Sequence, residues 1–126
     1  THNLVEAATT TAAVIAHALD VGAEIVEVTQ GAQEGWMALL DHIGQAPPVR
    51  VVPGHGPQSL AWADAATPLQ RYLTTVATDV RAMIAQGKTL AEATESAGSS
   101  EKGAWLLFEE YHKRNVSAAF AELEWE

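Results

Sequence analysis

The sequence predicts a mainly α fold with at most two short strands. Three observations carry this. Apolar residues recur at three- and four-residue spacings in four separate stretches. Those stretches are bounded by Gly, Pro or a capping Asn, Thr or Ser. Extended patterning is confined to two brief runs, 24–30 and 50–52. The chain has 126 residues, 48% of them apolar, which is enough for one domain with a modest core. No internal repeat or low-complexity linker divides it, so 1–126 is read as a single domain.

Asn3 is placed to cap a first helix over 4–19, whose stripe is Leu4, Val5, Ala8, Ala12, Ile15, Ala16 and Leu19. His17 lies on its far side. Asp20 and Gly22 break this helix, and 24–30 (Glu-Ile-Val-Glu-Val-Thr-Gln) then alternates as a short strand, the alternative being a helix drawn out of its alanine-rich flanks. A second helix spans 32–43 with Trp36, Leu39, Leu40 and Ile43 facing inward and His42 facing out. Gly44 and Pro47-Pro48 end it. Residues 50–52 are extended, and 59–65 form a helical turn bearing Trp62 and Asp64. Pro68 is expected at the first position of a helix running to about Gln86, because its missing N–H costs nothing there. Its stripe is Leu69, Tyr72, Leu73, Val76, Val80, Met83 and Ile84, and Gly87 terminates it. Thr89 and Glu92 make a capping box for a short helix ending near Gly98. The last helix is expected over about 100–123. At about 100° per residue, Trp105, Phe108, His112, Val116, Ala119, Phe120 and Leu123 share one face.

Charge narrows the function. The net charge is −9 with only seven Lys and Arg, which argues against nucleic-acid binding and against docking on an anionic membrane. No apolar run reaches the roughly 18 residues of a membrane span. There is no cysteine, so any metal is held by His, Asp, Glu or water. Neither a Gly-x-Ser-x-Gly elbow nor a glycine-rich phosphate loop is present.

Two places carry metal-ligand chemistry. The first is Val51-Val52-Pro53-Gly54-His55-Gly56-Pro57. Two prolines fix the backbone and two glycines leave the histidine bare, so the imidazole loses little freedom on coordination. The same residues also suit an ordinary turn with a solvated histidine. The second is Glu109 with His112, three residues apart on the last helix, a spacing at which both side chains reach one ion. The alternative there is a buried histidine paired with its neighbouring glutamate or with a partner helix. His17, His42 and Asp64 are further donors, or simply solvated groups.

Residues 35–126 resemble the C-terminal part of a metallo-β-lactamase-fold hydrolase, and are most similar to its quinoprotein-associated zinc hydrolase branch. The residues carrying the resemblance are Gly35-Trp36, Val51 to Pro57, Tyr72-Leu73, Asp79-Val80-Arg81, Trp105-x-x-Phe108 and Tyr111 to Val116. The resemblance implies that His55 is a ligand of a zinc site. The superfamily's principal motif, His-x-His-x-Asp-His, is absent, and 1–34 are unlike the family. The implied object is therefore a compact helical fragment of that fold with a new N-terminal extension. Its exposed helix faces are expected to pair with a second copy, as a homodimer or higher homo-oligomer.

The expected function is a zinc-dependent hydrolase with a rebuilt site. His55, His112 and Glu109 are its metal ligands, and His55 and His112 its catalytic residues. A three-ligand zinc with an open position lowers the pKa of bound water to about 7 and polarises a carbonyl or phosphoryl oxygen. A small rebuilt site favours activated small-molecule esters or phosphoesters, phosphotriesters included, which need little general-acid help. The alternative is a non-catalytic helical dimerisation module that uses the same apolar faces.

Overall fold

The computed structural model describes residues 32–52 and 59–126. The helix expected over 4–19 and the strand expected over 24–30 lie outside the described residues. So does 53–58, with His55. What is described is mainly α: four α-helices, a 3-10 segment and one two-stranded antiparallel sheet.

Helix α1 spans Ala32–Gly44. Of its expected stripe, Leu40 is buried, while Trp36, Leu39 and Ile43 are half-buried. Gln33 is also buried. Its amide donates to Glu122 Oε2 at 3.0 Å and its side-chain Nε2 donates to the Leu73 carbonyl. One glutamine thus ties the start of α1 to two other helices.

Strand β1 (Arg50–Val51) pairs with β2 (Leu60–Ala61) in the register Arg50↔Ala61 and Val51↔Leu60. This corrects the helical turn expected over 59–65 at its start only; 62–65, with Trp62 and Asp64, are helical. The Arg50 guanidinium holds Ser59 through its hydroxyl (2.7 Å) and carbonyl (3.3 Å), and the Trp62 amide donates to the Val49 carbonyl at 3.3 Å. Residues 59–61 therefore find their backbone partners across the ribbon and not along a helix.

Helix α2 spans Trp62–Ala85 and starts a turn and a half before Pro68. The expectation that Pro68 opens the helix is thus corrected. An interior proline forfeits one N–H bond and crowds the carbonyl four residues back, at a cost of about 3 kcal/mol. Burial of Ala66 and packing of Trp62 and Leu69 onto the core offset that cost. The C-terminus follows the sequence. Gly87 adopts φ +73°, its amide donates to Ile84 O, and the Lys88 amide donates to Met83 O. These are the paired bonds of a Schellman cap.

Helix α3 (Leu90–Ser96) begins with the expected capping box. Thr89 Oγ1 accepts from the Glu92 amide at 3.2 Å, and Glu92 Oε2 accepts from the Thr89 amide at 2.7 Å. After Gly98, the chain forms a 3-10 helix over Ser99–Ala104, and α4 runs over Phe108–Leu123. The long last helix expected from Ser100 is therefore split. The cause is tertiary. Glu101 is buried between two donor side chains, accepting from Nε and Nη2 of Arg71 (2.8 and 3.1 Å) and from Nε1 of Trp105 (2.9 Å). Those bonds hold 99–104 in the tighter helix. The turn into α4 then places Leu107 at φ 58°, a left-handed conformation that β-carbon sterics disfavour.

The core lies where α2 meets α4, with α1 laid against both and α3 packed against α4. Val76, Val80 and Val116 are its fully buried centre. His112 is buried among them, as its place on the apolar face of the last helix required.

Candidate functional site

His112 is set by three elements. Helix α4 supplies the ring. Phe108, one turn earlier, stacks on it with centroids 4.0 Å apart. From α2, Tyr72 stands edge-on at 5.7 Å and places its hydroxyl 2.9 Å from Nδ1. The end of α3 places the Ala97 carbonyl 2.7 Å from Nε2. A carbonyl only accepts, so Nε2 carries the proton and Nδ1 accepts from Tyr72. Asn115 Nδ2 in turn donates to the Tyr72 oxygen at 3.0 Å. Asn115, Tyr72, His112 and Ala97 thus form one directed chain in which each donor has its acceptor. Only the neutral imidazole fits it without reversing a bond. Burial pushes the His112 pKa below its ordinary value, against the opposing pull of the Ala97 bond and of Glu109. Burial likewise raises the Tyr72 phenol to about 12, against the Asn115 bond.

Gly98 makes this approach possible. A Cβ at that position would lie 2.7 Å from His112 Cε1 and 3.0 Å from Val76 Cγ2, and the residue sits at φ +69°. Its amide donates to Asp79 Oδ2 at 2.8 Å, which fixes the turn that aims the neighbouring Ala97 carbonyl at the ring. Beyond Tyr72 the polar seam continues. Trp105 is edge-on to Tyr72 with centroids 5.6 Å apart, and its indole N–H is held by Glu101. The Arg71 bond keeps the Glu101 carboxyl below the usual carboxylate range, with burial opposing.

The other expected donors lie elsewhere. Glu109 is exposed and paired with Lys102, which holds its carboxyl below the ordinary value. It does not bond to His112. His42 and Asp64 are exposed on α1 and α2. His17 and His55 lie outside the described residues. The residues flanking 53–58 are nonetheless defined: Val52 follows β1 and Ser59 precedes β2, and the two are held together by the ribbon and by Arg50. Among the described residues no group of three or more His, Asp or Glu is placed to hold a metal ion. The described donors therefore do not fit a complete zinc site by themselves. His112 would have to give up the Tyr72 or the Ala97 bond to become a ligand.

Of the pairings open to a buried His112, the one with a partner helix is found, through Tyr72, but sequence reasoning did not single out which residues make it. Tyr72 and Asn115 both stood in the stretches read, but only as part of an apolar stripe and of a resemblance. The usable signal was that a tyrosine in a buried stripe needs a partner for its hydroxyl, as a buried histidine needs two. No helix among the described residues is long and apolar enough to cross a membrane. Compared with protein-family models, curated proteins and solved structures, the chain has no match.

Proposed function

We propose that the chain is a metal-dependent hydrolase of activated esters and phosphoesters, with His55 as the side chain that grips the ion. The observation that carries this reading is that the Pro53-Gly54-His55-Gly56-Pro57 sequence falls between two strands that pair with each other. Paired flanks and two prolines limit what the segment can lose on coordination. The likeness of 35–126 to the C-terminal part of metallo-β-lactamase-fold hydrolases supports the same assignment. The acid-rich composition, net charge −9, favours attraction of a divalent cation. His112 serves this reading as a positioning residue that locks α4 to α2 and α3. Glu109, the carboxylate expected as a ligand, is exposed and paired with Lys102. The remaining ligands come from residues outside the described ones or from a second copy of the chain.

The test is direct. Purified full-length protein is assayed for bound metal and for hydrolysis of an activated phosphotriester and an activated carboxylic ester. The expected result is activity that chelator abolishes and zinc or another divalent ion restores. Protein that binds no metal, or whose turnover is unchanged by chelator, overturns the reading.

A second reading is a non-catalytic helical interaction module. The observation favouring it is that both nitrogens of His112 are already satisfied inside the core while Leu106, Leu107 and Trp125 remain exposed. It expects self-association that is indifferent to chelator and to His55→Ala.

A further inference from the structure

Residues 103–107, Gly-Ala-Trp-Leu-Leu, hold no proline and are mostly helix formers. At about 100° per residue, Trp105 falls on the same face as Phe108, His112 and Val116. The chain nevertheless bends there, and three marks of conflict coincide. The 3-10 run over Ser99–Ala104 is six residues long, where about three or four is the usual limit. Leu107 is held left-handed at φ 58° without being glycine. Leu106 and Leu107 are left 59% and 45% exposed. Local preference and tertiary contact thus pull the same residues toward different backbones.

We infer that 99–107 is a two-position joint latched by the Arg71–Glu101 pair: the bent form exchanges with a straight one in which α4 runs back to about residue 103. The inference stands apart from the hydrolase reading. Tyr72 meets His112 and Arg81 meets Glu126, so α2 and α4 run side by side in the same direction. Arg71 directly precedes Tyr72, so its two bonds to Glu101 draw residue 101 back to the level of His112 and hold the bend. In the straight form Trp105 lies seven residues, about 10 Å, before His112 along the helix axis. Its ring contact with Tyr72, centroids 5.6 Å apart, therefore belongs to the bent form alone. The bond from His112 Nε2 to the Ala97 carbonyl belongs to both forms. The six residues from 97 to 103 reach about 20 Å when extended, against about 14 Å along the axis from His112 to residue 103. The joint thus moves without unfastening α3. The latch opens from its exposed side: the Arg71 side chain is 51% exposed and that of Glu101 6%. Without the guanidinium, Glu101 is a buried charge held by one indole N–H, and straightening carries it out to water.

The experiment is NMR on the isotope-labelled full chain. In Arg71→Met the Tyr72–Trp105 ring NOEs should be lost and the Cα shifts of 103–107 should become helical. The amides of Val76 and Val116 should stay protected from exchange. Leu107→Gly acts in the opposite direction, because glycine accepts the left-handed position and disfavours the helix. Added to Arg71→Met, it should restore the ring NOEs. A folded Arg71→Met protein that keeps those NOEs overturns the inference, and so does one that loses them with coil shifts at 103–107. If Arg71→Met does not fold, the parent chain decides by chemical exchange saturation transfer. A minor form at about 1% or more with helical shifts at 103–107, removed by Leu107→Gly, upholds the joint, and its absence overturns it.

Discussion

His112 shows how one residue can be anticipated in place and not in partner. Its address, mid-face on the last helix, follows from spacing alone. Its role follows from Tyr72 and Ala97, which no spacing reveals because they sit 40 and 15 residues away in sequence. Replacing it with phenylalanine keeps a ring of similar shape but leaves the Ala97 carbonyl and the Tyr72 hydroxyl without partners. A loss of about 2–4 kcal/mol in unfolding free energy is expected, measured by urea titration. The pH dependence has a definite sign. Burial lowers the folded-state pKa of His112 from 6.5, so as pH falls through 6.5 the unfolded chain takes up a proton that the folded chain refuses. Stability is therefore full above this range and declines below it until the folded-state value is reached, with a limiting slope of about 1.4 kcal/mol per pH unit. His112→Phe should remove that slope. Carboxylates such as Glu101, whose pKa is depressed below 4.5, lose their contribution only at more acid pH, so the two windows separate.

At the scale of elements, the ends of helices were the most legible feature. The Thr89–Glu92 box and the Gly87 stop were both read from residue type, because capping chemistry is local. Thr89→Ala should cost about 1 kcal/mol, seen as a lower thermal midpoint. Starts set by tertiary contacts were not legible. Pro68 has the right chemistry to open a helix, yet Trp62 and Ala66 find core contacts that extend α2 backward through it. Ser100 looked like the start of a long helix, yet the buried Glu101 holds the chain in a 3-10 turn. The two left-handed glycines separate these causes. Gly87 has open space where a Cβ would go, while at Gly98 a Cβ would strike His112 and Val76. Gly87→Ala should cost about 1 kcal/mol through backbone strain alone. Gly98→Ala should cost at least about 2 kcal/mol, because overpacking is added to the same strain. Comparable losses in the two variants, measured side by side by denaturant titration, would contradict the close approach described around His112.

For the whole molecule, the mainly α class and the placement of a histidine within the core were legible because hydrophobic periodicity carries them. A complete functional site was not legible, since ligand sets join distant parts of a chain, or of two chains, and no local rule encodes that meeting. The described residues supply a frame of α2 and α4 clamped through Tyr72, His112 and Asn115, with a two-stranded ribbon on either side of 53–58 in sequence. The proposed hydrolase would hold its ion at His55. An anomalous-scattering map at the zinc edge, from a crystal of the full chain grown with zinc, tests this most directly. It should show a peak about 2.0–2.1 Å from a ring nitrogen of His55, with at least two further N or O donors from the same or a second copy. A map with no peak at His55, and that imidazole turned to bulk solvent, would contradict the account.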